Sequence, residues 1–213
     1  MSRTVLYDYY RSSAAYRVRI GLNLKGVDYE HRPINLVESE QASADYRALN
    51  PQGLVPMLEI DGHKLTQSLA ILVYLDQRFP DPPLMPRDPA DGAHVRAMAM
   101  IVACDVHPLN NLRVLRYLKG ELGRSQDEVD RWYAHWITEG LGALEAMAKA
   151  GAGDFLFGDA PTIADVCLVP QLYNARRFNV PIEAYPTLLR AEEHANRLDT
   201  FAAAHPDRQE VRA

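Results

Sequence analysis

Leu54-Val55-Pro56-Met57-Leu58-Glu59-Ile60-Asp61-Gly62-His63-Lys64-Leu65-Thr66-Gln67-Ser68, residues 54–68, is the stretch whose reading decides the fold. Met57–Ile60 and His63–Leu65 are short runs of strand composition, and the Asp61-Gly62 pair between them is a strong hairpin signal. Ser68 then opens a helix whose apolar face runs through Leu69, Leu72, Val73 and Leu75 to about Phe79. Upstream, Thr4–Tyr7 reads as a strand, Tyr29–Leu36 as extended, and Ser43–Leu49 as a short helix. Between the first two lies Ser12–Lys25, with Ala15, Val18 and Leu22 on one helical face. The alternation Arg17-Val18-Arg19-Ile20 also suits a strand, but the length of the segment and the Gly26 stop favour helix. The predicted order over residues 1–80 is βαβαββα, an α/β domain with a mixed sheet. Five of the fourteen prolines fall in 80–91, so residues 81–91 are expected to be a linker. Residues 92–213 read as an all-α domain with helices at about 92–121, 126–150, 162–178, 186–197 and 199–205. Pro108 is expected to kink the first of these. Thr162-Ile163-Ala164-Asp165 looks like a capping box at the start of the third.

The 213 residues carry 23 Lys plus Arg and 28 Asp plus Glu, a formal net charge of -5. That balance argues against a nucleic-acid partner, which favours basic surfaces. No stretch approaches the ~20 apolar residues of a membrane helix. Nor does Met1-Ser2-Arg3-Thr4 lead into a signal-peptide core, so a cytoplasmic protein is expected. Cys104 and Cys167 lie far apart, which excludes a C-x-x-C redox or zinc pair; both are expected to be small buried apolar residues, and no metal site is expected. Trp132 and Trp136, four residues apart, are read as helix core or interface.

Three short motifs carry chemistry. A proline after Val55 removes a donor at a strand entry. If the Val55–Pro56 bond is cis, the Val55 main chain turns outward, where its N–H and C=O can pair with a ligand peptide as an added strand would. The plainer reading is an edge-strand proline. Gln67-Ser68 stands at a helix start, where free N–H groups and the helix dipole favour a carboxylate; the plainer reading makes Ser68 an N-cap. Arg11-Ser12-Ser13 lies between the first strand and helix, where a hydroxyl can donate to a thiolate and keep it ionised; Ser12 as a simple cap is the alternative. A peptide clamp, a carboxylate site and a thiolate donor in one domain describe a glutathione pocket on a thioredoxin-like domain.

Their order, followed by a helical half, resembles the glutathione transferase fold. Tyr10-Arg11-Ser12-Ser13-Ala14-Ala15-Tyr16-Arg17-Val18-Arg19-Ile20 is similar to the zeta-class signature. Asn50-Pro51-Gln52-Gly53-Leu54-Val55-Pro56, Gln67-Ser68-Leu69-Ala70-Ile71, His107-Pro108-Leu109-Asn110-Asn111-Leu112, Ala164-Asp165-Val166-Cys167-Leu168-Val169-Pro170-Gln171 and Ala175-Arg176-Arg177-Phe178 match as well. The similarity spans nearly the whole chain. It implies a homodimeric, glutathione-dependent maleylacetoacetate isomerase of aromatic amino acid catabolism, or a maleylpyruvate isomerase of gentisate catabolism. Residue by residue, it implies that Ser12 holds the glutathione sulfur with Ser13 beside it, that Val55 clamps the cysteinyl backbone, and that Gln67 and Ser68 hold the γ-glutamyl end. Gln41, His107 and Asn111 fall at further glutathione-contacting positions, and Arg177 matches the arginine that meets the substrate carboxylate. The signature cysteine is Ala14 here, and Arg113 resembles the maleylpyruvate isomerases more than animal zeta enzymes.

The implied reaction needs an ionised thiol, donors for developing negative charge, and fixed partners for a small dicarboxylate substrate. The planar guanidinium suits carboxylates, which makes Arg11, Arg113 and Arg177 the substrate-binding candidates. His107 has no acid–base task in such a scheme. Two rivals remain at this stage. One is a broader transferase acting on small electrophiles such as α-halo acids, with an apolar pocket. The other is a non-catalytic binding protein that shares the fold.

Overall fold

The computed structural model describes residues 3–209; residues 1–2 and 210–213, to which the expected domain limits extend, lie outside the described residues. The chain forms two compact units: Leu84–Asn196, and the described parts of Met1–Pro83 and Arg197–Ala213.

The first unit is built on a four-stranded mixed sheet in the order β2-β1-β3-β4, with β1 Val5–Asp8, β2 Glu30–Pro33, β3 Met57–Ile60 and β4 His63–Thr66. β1 runs parallel to β2 and antiparallel to β3, and β3 pairs antiparallel with β4. A parallel pair needs a crossover, and α1, Ser13–Leu24, supplies it. The hairpin turns on Asp61 at φ 51° and Gly62 at φ 80°, the two positive values that a primed turn requires.

The strand pleat sorts the core. Leu6, Leu58 and Ile60 face Val18 and Leu22 of α1 and Ile71 and Leu75 of α3, Ser68–Arg78. Val5, Tyr7 and Met57 face the other way, onto Tyr46 of the short α2, Ala44–Leu49. Gly21 lets α1 and α3 close: a Cβ there would stand 2.3 Å from Leu72 Cδ2.

The second unit is helical: α4 Pro89–Met100, α5 His107–Leu109, α6 Leu112–Gly120, α7 Gln126–Ala148, α8 Ile163–Arg177 and α9 Pro186–Asn196. A last helix, α10 Asp199–Ala204, packs on α1 in the first unit. Here the structure departs from a helical domain running unbroken to 213: burial of Phe201 and Ala204 beside α1 outweighs sequence proximity. The linker also differs from expectation at its end. Asp88 caps α4 through Ala90 and Asp91 N–H, and Pro89 takes the first helical position, where its missing donor costs nothing. Buried Leu84 accepts from Ile163 N–H at 3.0 Å, which ties the linker to the start of α8.

The single kinked helix expected over 92–121 is instead three helices. α4 ends in a π-helical turn, Ile101–Val106; α5 follows, and Asn111 caps a new helix by accepting from Arg113 N–H. Of the two cysteines, Cys167 is buried as expected, but Cys104 is exposed, because the π turn carries it to the surface.

Candidate active site

The β1–α1 turn sets Ser12. Its backbone is extended, at φ -69° and ψ 119°, its N–H donates to Tyr9 C=O at 2.8 Å, and its Oγ accepts from Ala15 N–H at 3.2 Å. Ser12 is therefore a helix cap, and its half-exposed hydroxyl keeps a proton to donate. The cap reading of this serine holds, and the cap leaves that proton open to a ligand. Ser13, beside it, is buried, and exposed Arg11 lies over the Tyr10 ring at 4.9 Å. The turn is braced from below. Fully buried Arg19 donates to Tyr10 C=O at 2.9 Å, to Asp8 at 2.6 Å and to Ala204 C=O at 3.0 Å. Asp8 also pairs with His31.

The second element is the loop before β3. Leu54 C=O accepts from Tyr46 Oη at 2.8 Å and from Asn50 Nδ2 at 2.6 Å, and Asn50 Oδ1 accepts from Gln52 N–H at 3.1 Å. These bonds hold the chain entering a cis Val55–Pro56 peptide. Among the described residues neither the N–H nor the C=O of half-exposed Val55 has a hydrogen-bond partner, so an extended peptide can pair there. Gly53, at φ 63°, allows the close approach of Gln41: a Cβ would lie 3.0 Å from Gln41 C=O. Gln41 Oε1 is itself buried with no hydrogen-bond partner among the described residues.

The third element is the start of α3. Gln67, not Ser68, is its N-cap residue, and no side chain caps the helix. Gln67 sits at φ 69°, ψ 115°, a backbone region that non-glycine residues rarely occupy and that recurs at ligand sites. Its Nε2 donates to Gln52 Oε1 at 2.7 Å, which joins α3 to the Val55 loop. Ser68 is buried, and its Oγ accepts from Arg17 Nη1 at 3.3 Å, which joins α3 to α1. The structure thus connects Gln41, Val55, Gln67 and Ser68 through short contacts in one unit, and Ser12 stands at the head of the helix that carries Arg17. Arg17, Asn50 and Gln52, which make these supporting contacts, are not singled out by the sequence reading, although all three lie in the quoted motifs.

The remaining candidates belong to the second unit. His107 opens α5, half-buried, and Asn111 caps α6. Arg113 is exposed in the first turn of α6. Trp132 Nε1 donates to Leu109 C=O at 2.9 Å and Asn110 Nδ2 to Tyr133 C=O at 3.1 Å, so α7 fixes the α5–α6 corner. Arg177 is exposed at the end of α8, 3.4 Å from Asn174 Oδ1 and over the rings of Tyr173 and Phe178. Phe178 stacks on Tyr133 at 3.8 Å, and burial pushes the Tyr133 hydroxyl far up, so it stays protonated beside Arg177. Neighbouring Arg176 is committed elsewhere, to a two-pronged pair with Glu192 at 2.5 Å.

Among the described residues no helix is long and apolar enough to cross a membrane. Residues 6–83 match the model of the glutathione S-transferase N-terminal domain, and residues 126–195 that of the glutathione S-transferase C-terminal domain. A maleylacetoacetate isomerase of Rhizobium meliloti is 47% identical, with 97% of this chain and 98% of the relative covered. The holo structure of a maleyl pyruvate isomerase, described as a bacterial zeta-class glutathione transferase, superposes with a TM-score of 0.95 at 41% identity, covering 98% of this chain and 100% of that one. A maleylacetoacetate isomerase from Anaeromyxobacter dehalogenans, with dicarboxyethyl glutathione and citrate bound, superposes at 0.89 with 47% identity, covering 99% and 98%. With that likeness running the length of the chain, the chain belongs to the zeta class of the glutathione S-transferase family, among the maleylacetoacetate isomerases.

Proposed function

We propose that the protein is a glutathione-dependent cis–trans isomerase that converts maleylacetoacetate to fumarylacetoacetate. The observation that carries this reading is the N–H and C=O of Val55, unpartnered among the described residues and displayed in the unit that also presents the start of α3, which no side chain caps, and the Ser12 hydroxyl. Those groups fit the cysteinyl backbone, the γ-glutamyl carboxylate and the sulfur of glutathione. The buried Gln41 Oε1, which has no donor among the described residues, fits the amide-rich remainder of the tripeptide. His107 and Asn111 are assigned to the same ligand by resemblance alone. Bound glutathione supplies the thiolate that adds reversibly to the cis double bond and leaves after rotation.

Ser12 holds that sulfur ionised. Its oxygen already accepts from Ala15 N–H, so its proton is available to the thiolate, and each unit of thiol pKa lowered in this way is worth ~1.4 kcal/mol. The first-turn N–H groups of α1, with Ser13 among them, add positive potential. Arg11, Arg113 and Arg177 are the proposed partners of the substrate's carboxylates. Arg177 leads because Asn174 and two rings orient its planar fork. No side chain acts as a base, since the thiol proton is not consumed.

Maleylpyruvate is the second reading, favoured by Arg113 and by the maleyl pyruvate isomerase structure at a TM-score of 0.95. Turnover of each acid with glutathione separates the two, and failure on both overturns the proposal. We further propose, from the family resemblance, a cytoplasmic homodimer; sedimentation of the purified chain at a protomer mass of 24.0 kDa or twice that tests the assembly.

A further inference from the structure

We propose that Arg17 is a positioning residue for glutathione, a buried charge that commits the Ser68 hydroxyl to donate to the γ-glutamyl carboxylate. The inference rests on the reading of Gln67 and Ser68 as the γ-glutamyl site.

Three observations carry it. Arg17 lies inside α1 with 1% of its surface exposed, yet its Nη1 reaches Ser68 Oγ, 51 positions away, at 3.3 Å. A guanidinium only donates, so at this contact Ser68 can only accept. A hydroxyl carries one proton, and accepting from Arg17 leaves that proton for an outside acceptor. Ser68 is also the first residue of a helix that no side chain caps, so its hydroxyl stands among unused backbone donors. The start of α3 therefore offers hydroxyl and amide donors together, with a full positive charge behind them in a low-dielectric interior. A neutral or cationic group gains little from this arrangement, and a carboxylate gains from every part of it.

Arg17 touches none of the ligand in this account; it acts through Ser68. Its effect must consequently depend on the ligand's carboxylate and not on its sulfur. At saturating glutathione, turnover should be nearly unchanged in a variant that lacks the charge, while KM for glutathione rises.

The test compares binding of glutathione with that of its analogue in which the γ-glutamyl α-carboxylate is a carboxamide, by calorimetry, in the full-length protein and in Arg17→Met. The wild-type protein should prefer glutathione by at least about 10-fold, the scale of a charge-assisted hydrogen bond. Arg17→Met should bring that preference close to unity, mainly by weakening glutathione. A general loss of structure would weaken both ligands alike. Arg17→Gln, which is neutral but keeps an N–H donor and much of the volume, serves if the methionine variant does not fold, and it should lose most of the preference too. A preference retained in whichever neutral variant folds overturns the role of Arg17. Absence of any preference in the wild-type protein overturns the γ-glutamyl assignment itself, and the two failures are thereby distinct.

Discussion

At the scale of single residues, the proposed chemistry separates into two measurable parts. Ser12 contributes one hydroxyl proton to the sulfur and one acceptor to the α1 cap. Replacing it with alanine removes both, so kcat/KM for the isomerisation should fall by about 10²–10³, as when one preorganised donor to a developing anion is lost. The stability cost of the lost cap is about 1 kcal/mol, too small to explain that fall. A titration of the bound thiol, followed by thiolate absorbance, should show its pKa moving up in Ser12→Ala. An unshifted thiol would refute the assignment. Arg177 belongs to the other part. Its side chain is oriented by Asn174 Oδ1 and the flanking rings and carries no structural ion pair of its own among the described residues, unlike Arg176 with Glu192. Arg177→Ala should therefore leave glutathione affinity and thermal stability close to wild type, while KM for the dicarboxylate rises about 10- to 100-fold. Equal losses for glutathione and substrate would mean that Arg177 is not a substrate residue.

At the scale of elements, two helices of the second unit make opposite demands on their sequences. α7 carries Gly140 in its interior, where alanine is intrinsically better by about 1 kcal/mol. The glycine is needed because Val106, in the π turn, packs onto it: a Cβ would stand 2.1 Å from Val106 Cγ2. Valine is stiff at χ1 and cannot swing aside, so Gly140→Ala should destabilise by about 2 kcal/mol in spite of propensity, and Val106→Ala added to it should recover part of the loss. α8 begins with the capping box read in the sequence, in which Asp165, fully buried, accepts from Thr162 N–H and Oγ1 and from Leu156 N–H. Burial outweighs those donors and pushes its carboxyl up to about 6 from 3.8. The folded state then holds the proton more tightly than the unfolded state between those values. Stability should fall as pH rises from about 4 to 6, by up to about 3 kcal/mol from this group, and level off above. Denaturant titrations of wild type and Asp165→Asn check this, since the variant should lose that slope. These elements also mark how far the sequence was readable. Periodicity and caps located every strand and nearly every helix, because local signals such as Asp61-Gly62 and Thr162–Asp165 act over a few residues. The π turn and the restart at Asn111 were not visible, because α7 fixes that corner through Trp132 and Asn110, bonds that span 23 positions. In the candidate site, Ser12, Val55, Gln67 and Ser68 were legible as helix starts and a strand entry. Arg17 was not, since two arginines spaced along a helix give no hint that both are buried.

At the scale of the whole molecule, the decisive feature is that the chain leaves the first unit after Pro83 and returns to it from Arg197 onward. The return is secured by a polar clasp. Arg19 joins Ala204 C=O of α10 to Asp8 of β1 and to Tyr10 C=O in the turn that precedes Ser12, and Asn23 Nδ2 adds a bond to Thr200 C=O at 2.9 Å. Apolar burial of Phe201 supports the same contact. The two kinds of support have different consequences, and a pair of variants separates them. Phe201→Ala empties core volume and should cost about 3–5 kcal/mol, but it leaves every bond of Arg19 in place. Arg19→Met removes the guanidinium from buried Asp8 and leaves it His31 as its remaining side-chain partner, at a cost of about 3 kcal/mol, and in addition releases the Tyr10 carbonyl. Because Tyr10 lies two residues before Ser12, the second variant should loosen the catalytic turn while the first does not. At a temperature where both remain folded, Phe201→Ala should keep kcat near wild type and Arg19→Met should lose about 10-fold or more, since small misplacements of a reacting group carry penalties of that order. Equal kcat in two variants of equal stability would show that the clasp holds the C-terminal segment and nothing else.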